Sequence, residues 1–149
     1  NGVRIDLIVR GICTLRPGIA GISDNITVRS IVGRFLEHHR LFYFRNGGNE
    51  KTFLSSADWM PRNLNERVEL MIPIEDKRHK ARIKGILDLY LADTLKAHLM
   101  RADGSYYKVS NIEGPLSAQE ELMEAANTQD SREQMTVIER FKPMFKMKE

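Results

Sequence analysis

The sequence predicts an α/β domain: a mixed β-sheet flanked by helices, with a long amphipathic helix after the last main strand. Three observations predict it. Residues 3–9 and 26–32 alternate apolar and polar side chains and are rich in Val and Ile, the pattern of strands. Two further alternating stretches, 40–45 and 50–55, flank Asn46-Gly47-Gly48-Asn49, a hairpin signal. From Asp76 the period lengthens: Ile83, Ile86, Leu87, Tyr90, Leu91, Leu95 and Leu99 fall on one helical stripe.

Taken in order, Val3–Val9 is expected as a central strand ending at Arg10-Gly11. A loop punctuated by Pro17-Gly18 and Gly21 follows. Ile26–Val32 is a second strand, closed by Gly33. After the hairpin, Arg67–Ile72 makes one more strand, stopped by Pro73. Asp76 caps a helix that the stripe carries to about Met100. Residues 102–110 hold Asp103-Gly104 and a short Tyr-rich strand. Ser117 caps a second helix, with Glu120 completing a capping box. Beyond Asn127 the pattern weakens. Residues 136–141 add a helical turn, then Pro143 and a Met/Lys end follow. The division is therefore a domain over 1–126 and a partly helical or disordered tail over 127–149.

At 149 residues this is one domain with an appended tail. No apolar run is long enough to span a bilayer, and no secretory signal opens the chain. It begins Asn1-Gly2 and so reads as a fragment or a cleaved product. The single Cys13 excludes an internal disulfide framework and a cysteine-built metal site, and fits a reducing cytosol. Net charge is only +3, but its distribution is uneven. Residues 1–74 carry arginine at 4, 10, 16, 29, 34, 40, 45, 62 and 67 against the one Lys51, whereas the rest favours lysine. Guanidinium groups suit bidentate phosphate recognition; lysines suit solvated helix faces.

The chemistry is concentrated in two segments. His38 and Arg40 open an apolar alternating run, so both polar heads are expected at the mouth of a strand. The strand Phe53-Leu54 ends in Ser55 and Ser56, followed by Asp58 and Trp59. Imidazole, guanidinium and hydroxyl groups gathered at strand ends suit a phosphoryl group. Such a site needs a proton carrier near neutrality and a fork of donors matched to phosphate oxygens. Arg10, directly after a buried strand, belongs to the same rim as a buried guanidinium. Asp58 orients an Arg or His, or caps the next turn. Arg62 faces either phosphate or Asp58, and Ser55 and Ser56 either end the strand or touch phosphate. The remaining features are expected to be structural. His39 faces solvent, His79 and His98 lie on the long helix surface, and Cys13, Trp59, Met60, Phe42, Phe44 and Phe53 are buried.

The words Leu7-Ile8-Val9-Arg10-Gly11-Ile12-Cys13, Ser30-Ile31-Val32-Gly33-Arg34-Phe35-Leu36-Glu37-His38 and Ser55-Ser56-Ala57-Asp58-Trp59-Met60-Pro61-Arg62-Asn63 stand in one order. Together they resemble the C-terminal part of the polyphosphate kinases, over about residues 3–125. The resemblance implies a phospholipase D-like fold and reversible transfer of the ATP γ-phosphoryl group to polyphosphate. Transfer would run through a phosphohistidine on a preceding domain that this chain lacks. His38 matches the family's second histidine, which assists transfer and contacts the nucleotide phosphates. Arg10 matches an ATP phosphate-binding arginine, and Arg67 another near the phosphates. Magnesium would accompany ATP with ligands outside this chain, leaving no metal site here. The implied partners are ATP or ADP, inorganic polyphosphate, the rest of the kinase chain and further copies in a homo-oligomer. Nucleic acid and a transmembrane segment are not expected, and the location is cytoplasmic, with peripheral membrane attachment allowed. The fragment alone is expected to be inactive. The chain departs from the wider superfamily's His-x-Lys signature, which is followed after four intervening residues by Asp. Arg40 replaces that Lys and Arg45 stands where that Asp would be. Two alternatives stay open: a phospholipase D-like phosphodiesterase half-site, and a non-enzymatic module binding phosphate or nucleic acid through the Arg-rich sheet edge.

Overall fold

The computed structural model describes residues 2–109 and 114–127; the expected tail lies outside them, apart from Asn127. Along the chain run β1 (Ile5–Ile8), β2 (Ile26–Ile31), β3 (Leu41–Phe44), β4 (Lys51–Ser55), α1 (Pro61–Glu66), β5 (Met71–Pro73), α2 (Lys77–Ala92), β6 (Ala97–Met100), β7 (Tyr106–Lys108) and α3 (118–127). The expected single mixed sheet is in fact two. β1 and β2 pair in parallel, with β6 and β7 added antiparallel in the order β1-β2-β6-β7. β3, β4 and β5 form a separate antiparallel sheet.

The hairpin forms where Asn and Gly permit it. Asn46, Gly47 and Gly48 take φ of 46°, 62° and 94°, a region closed to most side chains. β5 is shorter than expected and includes Pro73 opposite Phe53. Proline is tolerated there because β5 is an edge strand.

The largest correction concerns α2. Asp76 caps it as expected, accepting from Arg78 N (2.9 Å) and His79 N (3.1 Å). The helix stops at Ala92, however, and residues 97–100 form a strand between β2 and β7. Asp93 ends it. Its buried carboxylate accepts from Lys96 N (2.6 Å), Ala97 N (2.9 Å) and Ala118 N (2.8 Å), turning the chain and tying α2, β6 and α3 together. Arg29 donates to Tyr90 O (3.2 Å) and Leu91 O (2.5 Å), neutralising the negative end of the helix. Leu95 and Leu99 thus continue the helical stripe in sequence but not in space.

The core lies where β2, α2, β6 and α3 meet. Ile31, Tyr90, Ala97 and Ala118 are buried, with Ile8, Ile86, Leu89, Val109 and Leu122 packed around them. Ala97 and Ala118 have no exposed surface, and their small size lets β6 and α3 approach closely. Ser117 begins α3, its Oγ accepting from Glu120 N at 3.4 Å. The antiparallel sheet is less covered: Leu54, Met71 and Ile72 are exposed.

Candidate functional site

Three segments from the two sheets deliver polar groups to one rim. Val9 N bonds Arg29 O (2.8 Å), which carries β1 one residue further and aims Arg10 outward. Ser55 N bonds Arg40 O (2.9 Å), so the β3–β4 ladder fixes Arg40 in turn. The loop after β4 brings Asp58. One oxygen of Asp58 accepts from Arg40 Nε at 3.0 Å and from Arg10 Nη2 at 3.3 Å. Arg40 Nη1 lies 3.0 Å from His38 Nδ1 and donates to His38 O at 3.3 Å. A guanidinium has only donors, so Nδ1 is the acceptor and the imidazole proton sits on Nε2.

Arg10 and His38 therefore share one cluster, joined through Asp58 and Arg40. The rim is open. His38 is exposed, and the Arg10 side chain keeps 29% of its surface in water, so it is not the buried guanidinium expected. The hydrogen bond from Arg40, aided by the charges of Arg40 and Arg10, holds the Asp58 carboxyl below its ordinary value of 3.8. Two guanidinium groups against one carboxylate leave the cluster cationic, with donor edges still facing water.

The serines do other work. Ser55 is buried, donates to Leu70 O (3.2 Å) and accepts from Ala57 N (3.1 Å), so it shapes the strand end and faces no anion. Ser56 donates to Glu69 and accepts from Leu70 N at 3.0 Å. Asn63 donates to the other Glu69 oxygen at 2.8 Å. The Ser56 and Asn63 bonds, followed by the nearby charges of Arg67 and Arg40, lower the Glu69 carboxyl. Arg67 is exposed at the end of α1 and makes no hydrogen bond or ion pair with Arg10, His38, Arg40 or Asp58. Arg62 is exposed on α1 and makes no ion pair with Asp58. Among the described residues no group of three His, Cys, Asp or Glu side chains could hold a metal ion, and no helix is long and apolar enough to cross a membrane.

Several structural expectations change. Trp59 is 75% exposed and Met60 55%, outside the core; Trp59 stacks on Phe42 at 5.8 Å between ring centroids. Phe44 is exposed and Phe42 and Phe53 are only half-buried, not buried as expected. Cys13 is half-buried. His79 stays at the exposed start of α2, whereas His98 lies half-buried on β6. His39 is half-exposed as expected, but its Nδ1 also reaches Tyr90 Oη at 3.2 Å.

Gln119 went unmarked in the sequence. Its amide spans from α3 to the loop carrying His38: Nε2 donates to Phe35 O (2.7 Å) and Glu37 Oε1 (2.6 Å), and Oε1 accepts from Phe35 N (3.1 Å). No periodicity or motif signals a buried glutamine whose partners lie far away in sequence.

Residues 1–119 match the family model described as "Polyphosphate kinase C-terminal domain 2". Among curated proteins, the chain is 56% identical over 125 residues to a polyphosphate kinase of Pseudomonas aeruginosa, covering 83% of this chain and 18% of that protein. It is 61% identical over 107 residues to that of Paraburkholderia phytofirmans, covering 70% and 15% respectively. The crystal structure of polyphosphate kinase from Porphyromonas gingivalis superposes with a TM-score of 0.82 at 40% identity, covering 88% of this chain and 20% of that one. The chain therefore spans less than a fifth of the length of these curated relatives.

Proposed function

The chain belongs to the family of polyphosphate kinase C-terminal domains, and from that premise we propose that its Arg10–His38 rim is half of a site for reversible transfer of the ATP γ-phosphoryl group to polyphosphate. The observation that carries this reading is the single Asp58 oxygen that gathers Arg10 and Arg40 beside His38. Phosphoryl transfer asks chiefly for positioning and for neutralisation of charge on the transferring oxygens. Arg10 and Arg40 supply fixed forks for that charge, and the exposed Arg67 adds positive charge to the same domain. Arg62 extends the cationic surface along α1. Ser56 reaches a phosphate oxygen only by leaving Glu69, and Ser55 keeps the loop in shape. His38 presents Nε2–H outward as a donor to a leaving oxygen. To act as an imidazolium it would have to take a second proton on Nδ1, which requires Arg40 Nη1 to release that nitrogen.

In this reading the fold is phospholipase D-like, and the phosphohistidine is carried by a domain outside this chain, so the fragment alone is inactive. The residues at the rim do not fit a magnesium ion. Asp58 is bridged to two guanidinium groups, and Glu69 to Ser56 and Asn63. Magnesium brought with ATP takes its protein ligands elsewhere.

The test is ³¹P NMR of the whole polypeptide with ATP and magnesium. Growing polyphosphate resonances and an acid-labile protein phosphate are expected. ATP left intact, or hydrolysed without polymer, overturns the reading and leaves the phosphodiesterase and binding-module alternatives. His38→Gln should lower turnover by roughly a hundred- to ten-thousand-fold, the usual worth of general acid–base catalysis. Near-normal turnover in that variant removes His38 from the mechanism.

A further inference from the structure

His38 follows Glu37, whose side chain points into the protein, and precedes a half-exposed His39 whose ring reaches back to Tyr90. Glu37 keeps only 11% of its side-chain surface exposed, against an exposed His38. Each Glu37 oxygen has its own donor. Tyr90, 3% exposed at the end of α2, gives its phenolic proton to Oε2. Gln119, 6% exposed on α3, gives an amide proton to Oε1 at 2.6 Å. The phenolic oxygen, its own proton committed, accepts from His39 Nδ1 at 3.2 Å. Gln119 also holds Phe35 at both its N–H and its carbonyl. Room for that amide depends on Gly33, where a Cβ would stand 2.2 Å from Gln119 Oε1. The loop is thus gripped at 35, 37 and 39, leaving His38 as the residue presented to the rim.

We propose that Tyr90, Gln119 and Glu37 form a buried clamp whose function is to position the His38 imidazole for transfer. The clamp touches no substrate; it acts through the backbone of residues 35–39, so its members are positioning residues. This rests on the proposed role of His38. A loop held from α2 and α3 at the Phe35 backbone, the Glu37 carboxylate and the His39 ring restricts where the intervening His38 can stand. Misplacement of a reacting group by about 1 Å costs on the order of a hundredfold in rate.

The experiment is a double-mutant cycle in the whole polypeptide, read as initial rates of polyphosphate formation per folded molecule. Tyr90→Phe removes one hydroxyl and keeps the ring in the core. Its kcat should fall roughly ten- to a hundredfold, the scale of such a misplacement. KM for ATP should change little, because phosphate binding runs through Arg10 and Arg40. Combined with His38→Gln, the Tyr90→Phe change should cost nothing further. Should Tyr90→Phe fail to fold, Gln119→Leu enters the same cycle with the same expectation. Full turnover in His38→Gln overturns the functional reading, and the clamp's role falls with it. Loss of turnover in His38→Gln overturns the clamp alone if Tyr90→Phe keeps normal kcat, or if the double variant shows a second loss of equal size.

Discussion

Asp58 holds Arg10 and Arg40 through one oxygen, so its removal frees two cations at once. Asp58→Ala should leave both guanidinium groups charged but unfixed. KM for ATP in the whole protein should rise about tenfold, the size of one charge-assisted hydrogen bond. Steady-state kinetics across ATP concentrations check it; an unchanged KM would show that neither arginine needs the carboxylate. The folded Asp58 carboxyl titrates below its ordinary 3.8. Its contribution to stability is therefore complete above that value and is lost as pH falls through the lower folded one. At this scale the sequence was partly legible. Arg10, His38, Arg40 and Asp58 were marked by their position at strand ends, and they meet. Ser55 and Ser56 were marked by the same logic, but small hydroxyls next to a chain reversal bond the nearest backbone or carboxylate first.

Asp93 does for the elements what Asp58 does for the rim. Its carboxylate takes three backbone N–H groups from two places, the start of β6 and the start of α3, at the turn joining α2 to β6. Asp93 is itself only 1% exposed, and Asp93→Ala strands those donors, with Ala97 N and Ala118 N fully buried. Stability should fall by about 3 kcal/mol or more, since each buried unsatisfied donor costs roughly 1–3 kcal/mol. Chemical denaturation with an unchanged m-value would measure it; a loss below about 1 kcal/mol, the net worth of one ordinary hydrogen bond, would mean that water replaces the carboxylate. The sequence hid this turn because Leu95 and Leu99 keep the helical period through it. Periodicity registers apolar spacing but not an aspartate that bonds forward to its own backbone. The β3–β4 hairpin, in contrast, was legible in full, because its turn conformation demands Asn and Gly locally.

Across the whole molecule, Asp6, Asp58, Glu69, Asp76 and Asp103 all titrate below their ordinary values. Each prefers the ionised form once folded, so the unfolded chain binds protons more readily in acid. With respect to these carboxyls, thermal midpoints should fall as pH drops below the ordinary values of 3.8 and 4.5 and through the lower folded ones. A midpoint rising toward acid would contradict these shifts. The fold class was legible from the strand and helix periods. The split into two sheets was not, because pairing between distant strands leaves no local mark. Trp59, the sole tryptophan, stands one residue from Asp58 and is 75% exposed against Phe42. It is a built-in optical reporter: the indole should emit at the long wavelength of a hydrated ring, and its intensity should respond when pyrophosphate or ATP is titrated onto the neighbouring arginines. Fluorescence would thus test for anion capture at this rim without any label and without turnover.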